Sequence, residues 1–339
     1  VYYFKIIIYC WATLMSLDRP VVLFFFNRPK HLERVFARVR QAQPSNLVLI
    51  SDGPRPDRPE EAQACADCRS VVAQVDWPCQ VTRCYAEQNM GCRDRIASGI
   101  RETFERYEAA IFLEDDCLPR PSFFSYCHKL LDHYESHEEV AFISGTRFIR
   151  LPEPNGNESY QFCSMPLVWG WASWRRALEG YDEKMADWAE HEGAIRSKLS
   201  HATALLGQAI SDRVTQSVMS ALNNCHQGTL NTWDHPLAYH FMKYDRKCIV
   251  PVQNMVTNTG FGPLSTHSGK ISSQASLHSA DIPMPLHHPD TTKIDPHFNA
   301  RVWKNTFLHP MLGEPALDRL IHKITRSFAE SMFNRKETG

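Results

Sequence analysis

The sequence predicts an α/β fold, with a mainly parallel central sheet covered by helices. Three observations carry that expectation. Short apolar runs alternate with helix-patterned segments along residues 20–144. The runs at 20–26 and 109–113 are continuously apolar, as strands buried on both faces are. The second of them ends in Glu114-Asp115-Asp116, three carboxylates where a strand of an open α/β sheet would meet its ligand.

The elements follow in order. The strand at 20–26 leads into a helix opened by Pro29 and running to about residue 41, with Leu32, Val35, Phe36 and Val39 at helical spacing. A second strand at 46–51 is ended by Asp52-Gly53-Pro54, and a helix is expected near 59–75. Then come a strand at 80–85, a helix at 91–107, the strand at 109–113, a helix at 121–134 and a strand at 139–144. Beyond a polar connection at 150–158 the pattern loosens. A tryptophan-dense stretch at 169–174 precedes a helix-rich region to about 225. Strands are expected at 228–231 and 247–252, a helix at 236–244, and a long loop at 261–300. A C-terminal amphipathic helix would align Leu317, Leu320, Ile321, Ile324 and Phe328.

Composition narrows the function. With 43% hydrophobic residues in 339, the chain can bury one large core or two smaller ones. A net charge of -1 and a pI near 7.0 provide no basic field for nucleic acid. Eleven cysteines without a regular framework read as reduced thiols of a cytosolic protein. Cys65 and Cys68 form a C-x-x-C with Cys79 and Cys84 downstream, but no histidine or second C-x-x-C completes a zinc pattern. No Gly-x-Gly-x-x-Gly follows the first strand, which disfavours a dinucleotide fold. Residues 1–14 are apolar and aromatic, shorter than a membrane span, and read as a non-native or upstream extension before Met15. A short membrane-surface anchor is the alternative for them.

Four loops after the first four strands gather chemistry on one edge of such a sheet. They carry Asn27-Arg28-Pro29, then Asp52-Gly53-Pro54, then Asn89 through Arg93 to Arg95, then Glu114-Asp115-Asp116. A carboxylate for a base or ribose, guanidinium groups for phosphate and an acidic oxygen-only metal site together suit a nucleoside diphosphate carried with Mn2+ or Mg2+. Each piece also has a plain structural reading: a turn at Asp52, a solvated helix face at Arg93 and Arg95, an acidic turn after the strand.

These residues fall in motifs that resemble a known family. The stretches VVLFFFNRP at 21–29, LVLISDGPRP at 47–56, QNMGCRDRIASGI at 88–100 and IFLEDDCLPRPSFF at 111–124 are followed by VWGWASWRRA at 168–177, NTWDHPLAYHF at 231–241 and NTGFGPLSTHS at 258–268. In that order they resemble the nucleotide-sugar-dependent glycosyltransferases of the GT-A fold, near family 2 enzymes and N-acetylglucosaminyltransferase I. More narrowly they resemble a bacterial group of glycosyltransferase-like proteins, some labelled haemolytic. The resemblance spans about residues 19–305. It implies a catalytic domain over 15–260, with a nucleotide-binding half at 19–148 and an acceptor half at 149–260, then a C-terminal loop and helical extension at 261–339.

The resemblance implies roles residue by residue. Asp116 would ligate the metal and Asp115 contact the nucleoside, with Glu114 beside them. Asp52 would recognise the base, and Asn27 and Arg28 would flank the nucleotide. His267 would be a further metal or diphosphate ligand; a solvated loop histidine is the alternative. Asp234, just before the helix expected at 236–244, falls where family 2 enzymes place their general base, and an N-cap is its structural alternative. Trp169, Trp171 and Trp174 suit stacking on sugar rings of the acceptor, against a simple core role.

The expected function is therefore metal-dependent, inverting transfer of a sugar from a nucleoside-diphosphate sugar to a hydroxyl of a glycan or lipid-linked acceptor, in bacterial surface-glycan synthesis. The expected place is the cytoplasm, with peripheral contact at the inner face of the plasma membrane as an option. The rivals are a metal-dependent phosphohydrolase or nucleotidyltransferase using the same acids, and a non-enzymatic, membrane-active protein.

Overall fold

The computed structural model describes residues 18–148, 156–261 and 277–308. The extension at 1–14, His267 and the C-terminal amphipathic helix lie outside these residues.

Alternation of strand and helix is seen through the first half. Strands β1 (Val21–Phe25), β2 (Asn46–Ser51), β3 (Gln80–Tyr85) and β4 (Ala109–Glu114) alternate with helices α1 (Pro29–Ala42), α2 (Glu60–Val72) and α3 (Cys92–Phe104). Every residue of β1 is buried, because helices cover both faces of a central strand. Pro29 opens α1, whose Leu32, Val35, Phe36 and Val39 are buried as their spacing predicts. On α3, Gly99 lets the helix backbone approach the sheet: a Cβ there would lie 2.6 Å from the Phe24 ring.

The chain then makes the short β5 (Cys117–Pro119), α4 (Ser122–His133), β6 (Val140–Ser144), β7 (Tyr160–Cys163) and β8 (Trp171–Trp174). Helices α5 (Trp188–Thr203), α6 (Gln208–His226) and α7 (Asp234–Lys243), strands β9 (Lys247–Pro251) and β10 (Val256–Asn258), and α8 (Pro296–Phe307) complete it. The eight-stranded sheet runs β3-β2-β1-β4-β8-β6-β9-β7, and β10 pairs with β5 separately.

The eight-stranded sheet is mostly parallel, as expected, with two antiparallel strands, β7 and β8, set into it. β3-β2-β1-β4 are parallel, as is β6 with β9, whereas β8 runs antiparallel to both its neighbours and β7 antiparallel to β9. Residues 228–231 form no strand; Gly228, at φ 74°, makes a turn after α6. The loop expected over 261–300 gives way to α8, capped by Asp295, whose carboxylate accepts the Phe298 N–H at 2.7 Å. Among the described residues no helix is long and apolar enough to cross a membrane.

Candidate active site

From β1 the chain passes to β2 and β3 on one side, then returns to β4 on the other. That reversal leaves a crevice beyond the carboxyl ends of β1 and β4, where open α/β sheets bind ligands. Phe24 pairs with Glu114 across it, so Arg28 and the acidic cluster meet at this point. Arg28 Nη2 bonds Asp115, and Nη1 lies 3.0 Å from Asp116 Oδ2. Asp115, buried, also accepts the Phe26 N–H at 3.3 Å. Burial lifts its carboxyl to about 6 despite Arg28. Burial opposes the Arg28 charge, but Asp115 and Asp116 outweigh it and raise its pKa.

Glu114 has no hydrogen-bond or ion-pair partner among the described residues. Burial, then Asp116 and Asp115, hold its carboxyl well above the usual range. An unpaired acid within the field of three other carboxylates, Asp116, Asp115 and Asp234, and one guanidinium, Arg28, sits in an excess of negative charge that a cation would offset. Among the described residues no group of three His, Cys, Asp or Glu side chains has metal-holding geometry. The oxygen donor set nevertheless fits magnesium or manganese bound in their common manner, through one or two carboxylates with phosphate and water supplying the rest. Asp116 and Glu114 would supply those carboxylates.

A strap formed by β10 and residues 259–261 closes over Asp116. Thr259 N donates to the Asp116 carbonyl at 2.8 Å, Asn258 Nδ2 reaches Asp116 Oδ1 at 3.4 Å, and His31 Nδ1 meets Thr259 Oγ1 at 3.0 Å. Gly260 packs directly on Asp116 and Arg28. Phe261 then lies against Trp169, and Trp169 against Phe148.

Other expected residues turn out to be braces. Asp52 Oδ1 accepts the N–H groups of Gly53 and Met90, at 2.9 and 2.8 Å. Its Oδ2 accepts from Asn89 Nδ2 at 2.9 Å and Gly91 N at 3.1 Å. Burial raises its pKa against those bonds. Asp52 and Asn89 thus latch the β2 and β3 loops together, and no lone-pair direction of Asp52 is left for a base. Asn27 Nδ2 bonds Glu61 on α2 at 3.2 Å, and Arg55 holds the same carboxylate. Arg93 pairs with its neighbour Asp94 at 2.8 Å.

Arg95 departs furthest from its expected role. It is buried, donating to the Ser51 and Cys84 carbonyls at 3.3 and 3.0 Å, to Ser98 at 2.6 Å and to Glu102 at 2.9 Å. It ties the ends of β2 and β3 beneath α3, with its donors spent on protein groups rather than phosphate. Trp171 and Trp174 are likewise core. Trp171 stacks on Phe112 at 3.9 Å, and Trp174 Nε1 donates to the Leu131 carbonyl at 3.2 Å. They lie on a strand covered on both faces, out of reach of an acceptor. Of the three tryptophans only Trp169 is half-buried beside a cavity. The C-x-x-C pair is buried on α2, where burial pushes the Cys65 thiol to about 11 and the Cys68 thiol to about 12.

Asp234 is the first residue of α7, one past the cap position held by Trp233, and its carboxylate accepts the first-turn N–H of His235 at 2.9 Å. The 231–235 segment reaches the crevice because Asn231 Oδ1 accepts the Arg93 N–H at 3.0 Å. Cys92, at the start of α3, lies within electrostatic reach of Glu114, Asp234 and Asp116 together. Asp234 and His235 form the polar end of a cavity of about 270 Å³, otherwise walled by Phe148, Met165, Val168, Trp169 and Phe307. His235 and Gly260 are the residues that sequence reasoning passed over. Adjacency of Asp and His ahead of a helix was the signal available for the first.

No protein-family model matches the chain, and no curated protein matches it. Among solved structures, 4-diphosphocytidyl-2C-methyl-D-erythritol synthase from Anaerococcus prevotii DSM 20548 is similar at 7% identity and a TM-score of 0.30, covering 49% of this chain and 75% of that one. UDP-glucose pyrophosphorylase complexed with UDP-glucose is similar at 9% identity and a TM-score of 0.23, covering 37% of this chain and 56% of that one. At those scores the fold is defined by this chain's own strand order.

Proposed function

We propose that the chain is a GT-A-like glycosyltransferase that binds a nucleoside-diphosphate sugar at the β1/β4 crevice and transfers the sugar to a hydroxyl acceptor. One observation carries the reading: Arg28 bridges Asp115 and Asp116 at the switch point of the sheet, beside a separate cavity that ends in Asp234. A charged crevice for the donor and an apolar cavity for an acceptor are what transfer between two substrates requires.

In this reading Arg28 gives up part of its hold on Asp116 to grip diphosphate oxygens. Asp116, with Glu114, would hold Mn2+ or Mg2+, which when bound neutralises the departing diphosphate. Asp115 keeps Arg28 aimed, Asp52 with Asn89 shapes the loop beside the nucleotide, and Trp169 presents a flat face to the acceptor. The first turn of α7 supplies the proton acceptor, and a single one suffices for inversion at the sugar carbon.

The test is a panel of nucleoside-diphosphate sugars screened by thermal shift with manganese, followed by product analysis. Stabilisation by one donor, with free or transferred sugar and nucleoside diphosphate as products, is the expected result. Release of a nucleoside monophosphate would instead indicate a phosphohydrolase or nucleotidyltransferase.

A further inference from the structure

Asp234 is bound on one side only. Its Oδ1 accepts from the Thr232 hydroxyl, from the His235 backbone N–H at 2.9 Å, and meets His235 Nδ1 at 2.8 Å. With an ionised carboxylate against Nδ1, the neutral imidazole carries its hydrogen there and presents a bare lone pair at Nε2. Nε2 has no bonding partner among the described residues, and His235 lines the cavity beside Trp169. A contrast is available on the same helix. His240 is buried with Nε2 bonded to the Ala177 carbonyl at 3.0 Å, which is how a purely structural histidine is satisfied here.

We propose that His235 Nε2 takes the proton of the attacking hydroxyl, that Asp234 is its positioning residue, and that the acceptor presents this hydroxyl from an apolar body seated in the cavity. The proposal rests on the transfer reading above. The step balances as follows. The acceptor oxygen forms a bond to the sugar carbon as the bond from that carbon to the diphosphate oxygen breaks. The bonding pair leaves with the diphosphate, and the hydroxyl proton moves to Nε2. The resulting imidazolium is stabilised by the Asp234 carboxylate, as in other carboxylate-histidine pairs.

The walls around His235 are uncharged: Phe307 and Thr306 from α8, and Val168 and Trp169 ahead of β8. Asp234 is the charged group that acts on it among the described residues, and it outweighs burial to raise the imidazole pKa. The same pairing outweighs burial to hold Asp234 below the usual carboxylate range. The rival proton acceptor is Asp234 Oδ2, and pH separates the two.

Two measurements on the full chain decide it. In ¹⁵N-histidine NMR, with His235→Gln for assignment, the wild type should show the Nδ1–H form and a midpoint above 6.5, and Asp234→Asn should lower that midpoint. An Nε2–H form, or a titration unmoved by Asp234→Asn, overturns the proposal. With UDP-glucose, UDP-N-acetylglucosamine or GDP-mannose, whichever is turned over, kcat should fall tenfold per pH unit below the His235 midpoint. His235→Gln should lower kcat by roughly 10²-fold or more at unchanged melting temperature and donor Kd. A flat kcat between pH 7 and 5 in the wild type assigns the proton to Asp234 instead. Absence of any donor binding or turnover counts against the transfer reading itself, and takes this proposal with it even when the NMR result is as expected.

Discussion

A Cβ built on Gly260 would fall 2.2 Å from Asp116 Oδ2 and 2.9 Å from Arg28 Nη1. The strap backbone therefore touches the ion pair that marks the crevice. Gly260→Ala must push the strap outward or displace Asp116. Nucleoside-diphosphate binding in manganese should weaken roughly tenfold, about 1.4 kcal/mol, by calorimetry. Unaltered affinity would place the strap outside the site.

Asp116→Asn keeps side-chain volume but removes the anion. Donor binding in manganese should drop toward its level in chelator, with little change in melting temperature. Equal wild-type binding with and without chelator would remove the cation from the mechanism.

The tryptophans should separate cleanly. Trp171→Ala empties a site stacked between Phe112 at 3.9 Å and Phe142 at 5.1 Å, and should cost about 3–5 kcal/mol in denaturant unfolding. Trp169→Ala should leave stability close to wild type and raise KM for the acceptor. An unchanged KM would exclude Trp169 from the acceptor cavity.

Arg95→Met tests brace against phosphate ligand. Loss of the bonds to the Ser51 and Cys84 carbonyls should destabilise by about 2–3 kcal/mol in denaturant unfolding. Donor Kd, measured well below the melting temperature, should stay within about twofold, since 0.4 kcal/mol or less would then separate the two proteins. A selective loss of donor affinity with normal stability would reverse the assignment.

His240 makes stability depend on acidity. Burial lowers its pKa from 6.5 to about 4, so the unfolded chain binds the proton more readily between those values. Its contribution is present above about 6.5 and is lost as pH falls toward 4, amounting to about 3 kcal/mol at 1.36 kcal/mol per pH unit. Unfolding free energies across pH 7 to 4 should decline more steeply in the wild type than in His240→Gln. Parallel curves would show that another group governs the decline.

Much of the parallel half was legible in the sequence. β3 has its expected bounds without so clear a bracket. β2 has the bounds read from its apolar run because Pro44 precedes it and Asp52-Gly53-Pro54 follows it. The acidic cluster was legible for the same reason, a buried strand ending abruptly in charge. β8 was not, since all four residues of Trp171–Trp174 are buried and alternation vanishes when both faces are covered. Arg95 was misread from its place near a helix start. Its spacing with Ile96, Gly99, Ile100 and Thr103 puts it on the buried face, a pattern that its charge concealed. The Asp295-Pro296 pair was an overlooked helix start inside a stretch whose composition suggested only loop.

β8 lies between β4 and β6, two strands made before it. On the ribosome, the first 148 residues therefore emerge with one flank of β4 bare, and no later strand can seal it until residue 174 has been translated. The sheet closes by threading a late segment between two early ones, a slow, non-local step that leaves an adhesive edge waiting. A gene fragment stopping at 148 should for this reason yield aggregate rather than a free-standing nucleotide-binding piece, however complete its Arg28 and acidic cluster look on paper.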